Sequence, residues 1–187
     1  QSSSTDSVYS SSSLKTIKLP SDLKEIQSFA FTNCKSIGQI EIPLSVTKIM
    51  SHAFEGCKSL RSINLSSSLN EIQSHAFQNC KSLEQIEIPS TIISIEDSMF
   101  NGCSLLKQIS IPSSVTKIGK EAFKKCESLT TFTIPENVTS ISDGLFEFCT
   151  YLEQVNIHLS VTSIGSKSFF ACPNLVDFEI HPNIKSI

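Results

Sequence analysis

The chain has 187 residues, of which 39% are hydrophobic and 18% are charged, and its formal net charge at pH 7 is -3. Such a balance provides no overall positive field with which to hold nucleic acid, so we expect no nucleic-acid partner. The longest apolar runs fall far short of the roughly 20 residues that a helix needs to cross a bilayer, and we expect no membrane contact by this segment.

Residues 1–13 are rich in serine, with serine at positions 2–4 and 7 and a run of four at positions 10–13. The positions equivalent to Val8 and Ser11 in the later repeats hold phenylalanine and cysteine. Two interpretations stay open for this stretch. It is either a flexible lead-in, which its composition favours, or a degenerate repeat.

From residue 14 onward the same residue types return every 23 positions without an insertion or deletion. A fixed period in the range of about 20–50 residues indicates a solenoid, because one unit cannot bury its own apolar face and stacked neighbours can. We predict one solenoid over residues 14–187, with seven full units and a half-unit at residues 175–187. The clearest column consists of Cys34, Cys57, Cys80, Cys103, Cys126, Cys149 and Cys172.

Each unit opens with alternating apolar and polar residues, as in LEQIEI at residues 83–88, which predicts a half-buried strand. Proline follows at once in five units and ends the strand, because it lacks the N–H that a continuing ladder needs. A second, shorter extended stretch is expected near Val115 and Ile118.

The end of each unit carries the signals of a short helical turn. A column of mostly Ser and Asp residues suits the N-cap of a helix. In four of the seven units Asn or Gly precedes the cysteine, and these residues suit the end of a helical turn. Ala-Phe lies between them, with the phenylalanine expected to face inward. The predicted fold class is therefore α/β, with a parallel sheet of short strands and one or two helical turns per unit.

The outward positions of the predicted sheet form a flat, polar and mildly acidic face. Repeat arrays commonly recognise partners through such a surface, although a merely solvated face is the alternative. Its lack of aromatic residues favours weak, multivalent contact over a tight interface. The candidate binding residues are Gln39, Glu41, Ser62, Asn64, Gln85, Glu87, Gln108, Ser110, Thr131, Thr133, Gln154 and Asn156.

We expect the remaining candidate sites to be structural or solvent-exposed positions. The cysteines lack the close spacing typical of zinc ligands, and we expect buried free thiols rather than disulfides. The pairs His52 with His75 and His158 with His181 lack a third ligand column, so we predict no metal site. A basic column of Lys35, Lys58 and Lys81 is expected to be solvated. The sequence contains no nucleophile elbow, glycine-rich phosphate loop or paired carboxylate column, and we predict a non-enzymatic chain without a cofactor.

The pattern L-x-x-I-x-I-P-x-x-V-x-x-I-G-x-x-A-F-x-x-C-x-x-L resembles the BspA-type leucine-rich repeat family, across residues 14–187. The resemblance implies a right-handed superhelix with the strands on its concave side. It also implies a surface antigen that acts as an adhesin and binds extracellular-matrix or host-cell proteins. No individual binding residue is carried over, because members of the family share core positions.

We therefore expect a protein-interaction module at the cell surface or in a secreted protein. The alternative hypothesis is an intracellular leucine-rich repeat scaffold in the cytoplasm. Two sequons, at Asn64 and Asn137, are compatible with passage through a secretory pathway.

The last half-unit stops at Ile187, on a core column and before its phenylalanine and cysteine. An uncapped solenoid end exposes apolar surface and an open strand edge. We expect either that further repeats follow or that this end associates with a second copy, end to end.

Overall fold

The computed structural model describes residues 15, 17–176, 178 and 180–187, and the predicted lead-in at residues 1–13 lies outside them. Two families of parallel strands alternate along the chain, with one strand of each family in every unit from residue 37 to residue 174. The longer strands have three residues and the shorter strands have two. The prediction of a solenoid built from parallel-strand turns at a 23-residue spacing is confirmed.

The longer strands follow the L-x-x-I-x-I pattern. Equivalent residues pair 23 positions apart, as Gln39 pairs with Ser62. They form one ladder of four strands, β2-β4-β6-β8, and one of two, β10-β12. The strands are β2 (Gln39–Glu41), β4 (Ser62–Asn64), β6 (Gln85–Glu87), β8 (Gln108–Ser110), β10 (Thr131–Thr133) and β12 (Gln154–Asn156).

Each shorter strand ends with an isoleucine of one repeat column, and Ile164 is the last of these isoleucines. They pair as β1-β3-β5, β7-β9 and β11-β13, again with a shift of 23 residues. The strands are β1 (Glu25–Ile26), β3 (Lys48–Ile49), β5 (Glu71–Ile72), β7 (Ser94–Ile95), β9 (Lys117–Ile118), β11 (Ser140–Ile141) and β13 (Ser163–Ile164).

The predicted helical turns are not confirmed, since the described residues contain no helix. The α/β assignment falls with them, and each unit closes with a run of tight turns instead. Every full unit places two residues, four positions apart, in the left-handed region, such as His52 with φ 60° and Gly56 with φ 70°. A right-handed helix cannot contain such residues.

Backbone hydrogen bonds explain why turns replace the helix. The N–H of Phe54 donates to the carbonyl of Ala76 in the next unit at 2.8 Å, and the N–H of Gly56 donates to Gln78 at 2.8 Å. A helix would direct these N–H groups to carbonyls within the same unit. The turns leave alternate N–H groups free to join consecutive units.

The expected N-cap residues also act between units. The Oδ1 atom of Asp97 accepts a hydrogen bond from the N–H of Lys120 at 2.8 Å, and that of Asp143 accepts one from Ser166 at 2.9 Å. Both bonds join residues 23 positions apart. These carboxylates therefore join consecutive units of the stack and do not cap a helix.

The core is a continuous column of aromatic rings and aliphatic side chains between the strands and the turns. Successive phenylalanines stack with ring centroids 5.2 to 6.1 Å apart, from Phe31 to Phe169. Phe54, Phe77, Phe100, Phe123 and Phe146 are fully buried. Burial of each such side chain contributes about 1.5–3 kcal/mol, and the contribution repeats in every unit.

The seven cysteines are free, as predicted, and all but Cys172 are buried. Six thiols donate hydrogen bonds to phenylalanine carbonyls 26 residues earlier, as Cys57 does to Phe31 at 3.1 Å. Burial raises the pKa of the Cys57 and Cys103 thiols to about 12. Because the thiolate is the reactive form, this column is structural.

One irregularity interrupts the ladder of longer strands. Phe132 of β10 occupies an inward position that holds isoleucine in β2, β4, β6 and β8. Its ring lies 4.9 Å from that of Phe123 and 5.0 Å from that of Phe146. The ladder breaks between β8 and β10, and Ile109 is only half-buried there.

Candidate interaction surface

The longer strands place all twelve predicted binding residues on one side of the molecule, which we call the polar sheet face. Each residue occupies the first or third position of its strand, while the central residue points into the core. Ser62 is half-buried and the other eleven are exposed. The alternation of the sequence produces this face directly, because successive side chains of a strand point to opposite sides.

Register brings equivalent polar residues side by side on the polar sheet face. Glu41 pairs with Asn64, and Gln85 pairs with Gln108. Further along, the Nε2 atom of Gln154 donates to Oδ1 of Asn156 at 3.0 Å. The Nδ2 atom of Asn156 in turn donates to the Thr133 hydroxyl at 3.2 Å. The face therefore offers ordered rows of amides and hydroxyls to a partner.

A groove of about 900 Å³ runs along the ends of β4, β6 and β8. Asn64, Glu87 and Ser110 line it, together with the apolar side chains of Leu65 and Pro89. Glu87 supplies a charge, and the other described residues that line the groove are uncharged. This side of the polar sheet face is therefore acidic.

The opposite margin of the face, at the start of the strands, has mixed charge. Arg61, Glu84 and Lys107 line a second depression, where Lys107 Nζ lies 3.5 Å from Glu84 Oε2. Both side chains are about half exposed or more, so this ion pair contributes little to stability. A partner that crosses the sheet from one margin to the other therefore contacts an acidic margin, the neutral residues of the face and a margin of mixed charge.

The histidine pairs differ from the arrangement that a metal site requires. His52 stacks on His75 with ring centroids 4.5 Å apart, and Phe29 stacks on His52 at 4.7 Å. In the second pair a ring nitrogen of His181 lies 3.1 Å from the carbonyl oxygen of His158. Within the described residues, no group of three or more His, Cys, Asp or Glu side chains is placed to hold a metal ion.

Burial governs the protonation of His75. Its Nδ1 atom is buried and has no hydrogen-bond partner in the described part of the chain. Burial lowers the pKa of His75 below its ordinary value of 6.5, and the neighbouring His52 lowers it further. The carboxylates of Glu55, Asp97 and Glu121 act in the opposite direction.

This histidine should make stability depend on pH. Unfolded His75 takes up a proton near pH 6.5, whereas folded His75 does so only at lower pH. The unfolded state therefore binds more protons in between, and the free energy of unfolding falls as the pH falls below about 6.5. We expect the variant His75→Asn, whose side chain tolerates a left-handed backbone, to lose less thermal stability between about pH 7.5 and pH 5.

The matched control for that comparison is His158→Asn, because His158 is exposed. Melting curves of the wild type and both variants at each pH supply the measurement. Equal pH dependence in the wild type and His75→Asn would contradict the assignment to His75.

Two kinds of residue escaped the reasoning from sequence. One is the set of exposed aromatics Phe148, Tyr151 and Phe170, which lie on the turns. The other is the pairing of Asp97 and Asp143 with the following unit. Departure from a repeat column was the available signal, since Phe148 stands where Asn or Gly occurs in four other units.

The described part of the chain contains no helix that is long and apolar enough to cross a membrane.

Comparison with known proteins matches the repeat to a family model. The model for the BspA type leucine rich repeat region matches residues 3–106 and 70–187, with six copies. A search among curated proteins returned no significant match.

Several solved structures share the fold. The leucine-rich repeat protein TpLRR of T. pallidum is 34% identical, with a TM-score of 0.80 over 87% of this chain and 78% of its own. A leucine-rich repeat protein from Eubacterium ventriosum is 21% identical, with a TM-score of 0.73 over 86% of this chain and 43% of its own. A leucine rich cell surface protein from Faecalibacterium prausnitzii is 28% identical, with a TM-score of 0.55 over 92% of this chain and 48% of its own.

Proposed function

Because the chain belongs to the BspA-type leucine-rich repeat family, we propose that it is a non-enzymatic protein-interaction module of a cell-surface adhesin. Its partner is an extracellular-matrix or host-cell protein. The observation that carries the proposal is the polar sheet face, on which side chains lie in register over the four strands β2, β4, β6 and β8 and again over β10 and β12. The surface location rests on the similar protein from Faecalibacterium prausnitzii, which is described as a cell surface protein.

The geometry of the face suits a protein ligand. Parallel strands lie about 4.8 Å apart, so six strands extend over roughly 24 Å. That length accommodates an extended segment or the edge of a folded domain. Single contacts between amides, hydroxyls and a partner are weak, and affinity accumulates through their number.

The introduction of positive charge in the centre of the face tests the proposal. The double variant Glu87→Lys with Gln108→Lys places two cations on the acidic and neutral rows. Binding to immobilised fibronectin, laminin or collagen, each in separate wells, should fall about tenfold or more. The free energy of unfolding should stay within about 0.5 kcal/mol, because both side chains are exposed.

The matched control reverses two exposed lysines of the turns, Lys58→Glu with Lys81→Glu. This variant should bind as the wild type does. The proposal is wrong if the control abolishes binding while the variant of the face retains it.

Localisation separates the adhesin from an intracellular scaffold. Intact cells that express the full-length protein are treated with a membrane-impermeant labelling reagent. Labelling of the protein supports a surface role, and labelling only after lysis would contradict it.

A further inference from the structure

A second exposed surface lies on the turns of the last three complete units. The rings of Phe148 and Phe170 are 37% and 53% exposed and meet edge to face, with centroids 5.6 Å apart. Lys125 and Lys167 are exposed beside them. We call these four residues the aromatic patch.

Neither phenylalanine is required by the fold. The column of Phe148 otherwise holds Asn33, Gly56, Asn79, Gly102, Lys125 and Ala171. The column of Phe170 otherwise holds Thr32, Glu55, Gln78, Asn101, Lys124 and Glu147. Phe148 also adopts a φ of 61°, a conformation that bulky residues disfavour and that Gly and Asn accept readily. An exposed aromatic ring at a strained backbone position points to a role outside the core.

The charges around the two rings are positive. Lys125 Nζ lies 6.0 Å from the centre of the Phe148 ring, which is within cation–π range. Lys167 belongs to the same turn as Phe170, whose N–H donates to the Lys167 carbonyl at 3.0 Å. Neither lysine has an ion-pair partner in the described part of the chain.

The neighbouring Lys124 shows the contrast. Its Nζ atom lies 3.0 Å from Glu121 Oε1 and 2.8 Å from Glu147 Oε2. Those carboxylates are therefore already engaged, and they do not neutralise Lys125 or Lys167. A partner at the aromatic patch meets two apolar rings flanked by two uncompensated cations.

We propose that the aromatic patch is a second docking surface, which binds a protein segment that carries apolar side chains beside carboxylates. The apolar side chains pack on Phe148 and Phe170, and the carboxylates pair with Lys125 and Lys167. Aromatic anchors with charged neighbours are typical of residues that dominate interface energies. The surface is separate from the polar sheet face, so one chain engages two partners.

The test uses residues that the other units already carry. The double variant Phe148→Asn with Phe170→Gln copies Asn79 and Gln78 of an earlier unit. Its melting temperature should equal or exceed that of the wild type, because asparagine relieves the backbone strain at position 148. The control variant is Leu44→Ser, which removes a 71% exposed leucine elsewhere and copies the serines of that column.

The probe is a displayed library of random dodecapeptides, depleted on the double variant and then selected on the wild type. Enriched peptides should combine aspartate or glutamate with aromatic or aliphatic residues. A synthetic copy should bind the wild type and Leu44→Ser alike and the double variant about tenfold more weakly or worse. Its affinity should also fall when salt rises from ~50 mM to ~500 mM, since the charged contacts are exposed.

Three results would overturn the proposal. The first is the absence of peptides that distinguish the wild type from the double variant. The second is a selection for basic or uncharged peptides. The third is binding of phosphatidylserine vesicles that depends on Phe148 and Phe170 without any peptide preference, which would assign the aromatic patch to an anionic membrane surface.

Discussion

Replacement of Phe123 by alanine is expected to lower the free energy of unfolding by about 3–5 kcal/mol. The ring is fully buried and stacks between Phe100 at 5.5 Å and Phe146 at 6.1 Å. Phe132 packs against it at a tilt of 57°. Truncation removes the contacts of three rings at once, and the units above and below cannot close the gap because their spacing is set by backbone hydrogen bonds.

Urea denaturation monitored by circular dichroism measures this change. Leu44→Ala is the control, since Leu44 is 71% exposed and its truncation should change the free energy by about 0.5 kcal/mol or less. A loss below about 1 kcal/mol for Phe123→Ala would contradict the conclusion that the stacked phenylalanines stabilise the fold.

Replacement of Gly119 by alanine is expected to cost about 1–3 kcal/mol, although it adds only a methyl group. A Cβ atom at this position would lie 2.5 Å from the backbone nitrogen of Asp97 and 2.7 Å from the carbonyl carbon of Glu96, and it would also meet Asp97 Oδ1. These atoms belong to the adjacent unit and are held by the hydrogen bond from Lys120 to Asp97. Relief of the clash requires a shift of the backbone at Gly119 or at Glu96 and Asp97.

The comparison is Gly38→Ala, where the nearest atom to an added Cβ is the carbonyl oxygen of Ser59 at 4.0 Å. That variant should stay within about 0.5 kcal/mol of the wild type or be slightly more stable, because alanine restricts the unfolded chain. Gly165→Ala should reproduce the loss, since its Cβ would lie 2.6 Å from the backbone nitrogen of Asp143. Equal stability of the variants Gly38→Ala, Gly119→Ala and Gly165→Ala would contradict the expected clash between adjacent units.

The two proposed surfaces divide the chemistry of the repeat between them. On the polar sheet face every unit contributes similar side chains, so a partner gains affinity through repetition. On the turns of the described residues, the aromatic patch departs from the repeat by two adjacent phenylalanines, and a partner would gain specificity from this single place. Variants of one surface should leave the other unchanged, which allows the two to be tested separately.

The sequence by itself determined the period, the positions of the longer strands and the twelve residues of the polar sheet face. The reason is that these features depend on alternation and on the need of each unit to bury one apolar side against the next. Ile40 between Gln39 and Glu41 already shows which residues point inward. The role of the face as a binding surface stays a prediction.

The tertiary structure decided how each unit closes. Ser, Asn and Gly near the phenylalanine are compatible with both a capped helix and a chain of left-handed turns. Only the neighbouring unit distinguishes them, because Phe54 N–H must reach the carbonyl of Ala76 across the stack. A pattern read within one unit cannot express that requirement.

The tertiary structure also decided where regularity is lost. Phe132 follows the same apolar alternation as the isoleucines before it, yet the ladder breaks between β8 and β10. Likewise, the contact of Phe148 with Phe170 across two units became evident only from the structure. In each case the outcome depends on side chains of different units that meet at one place, and the pattern within a single unit does not contain that information.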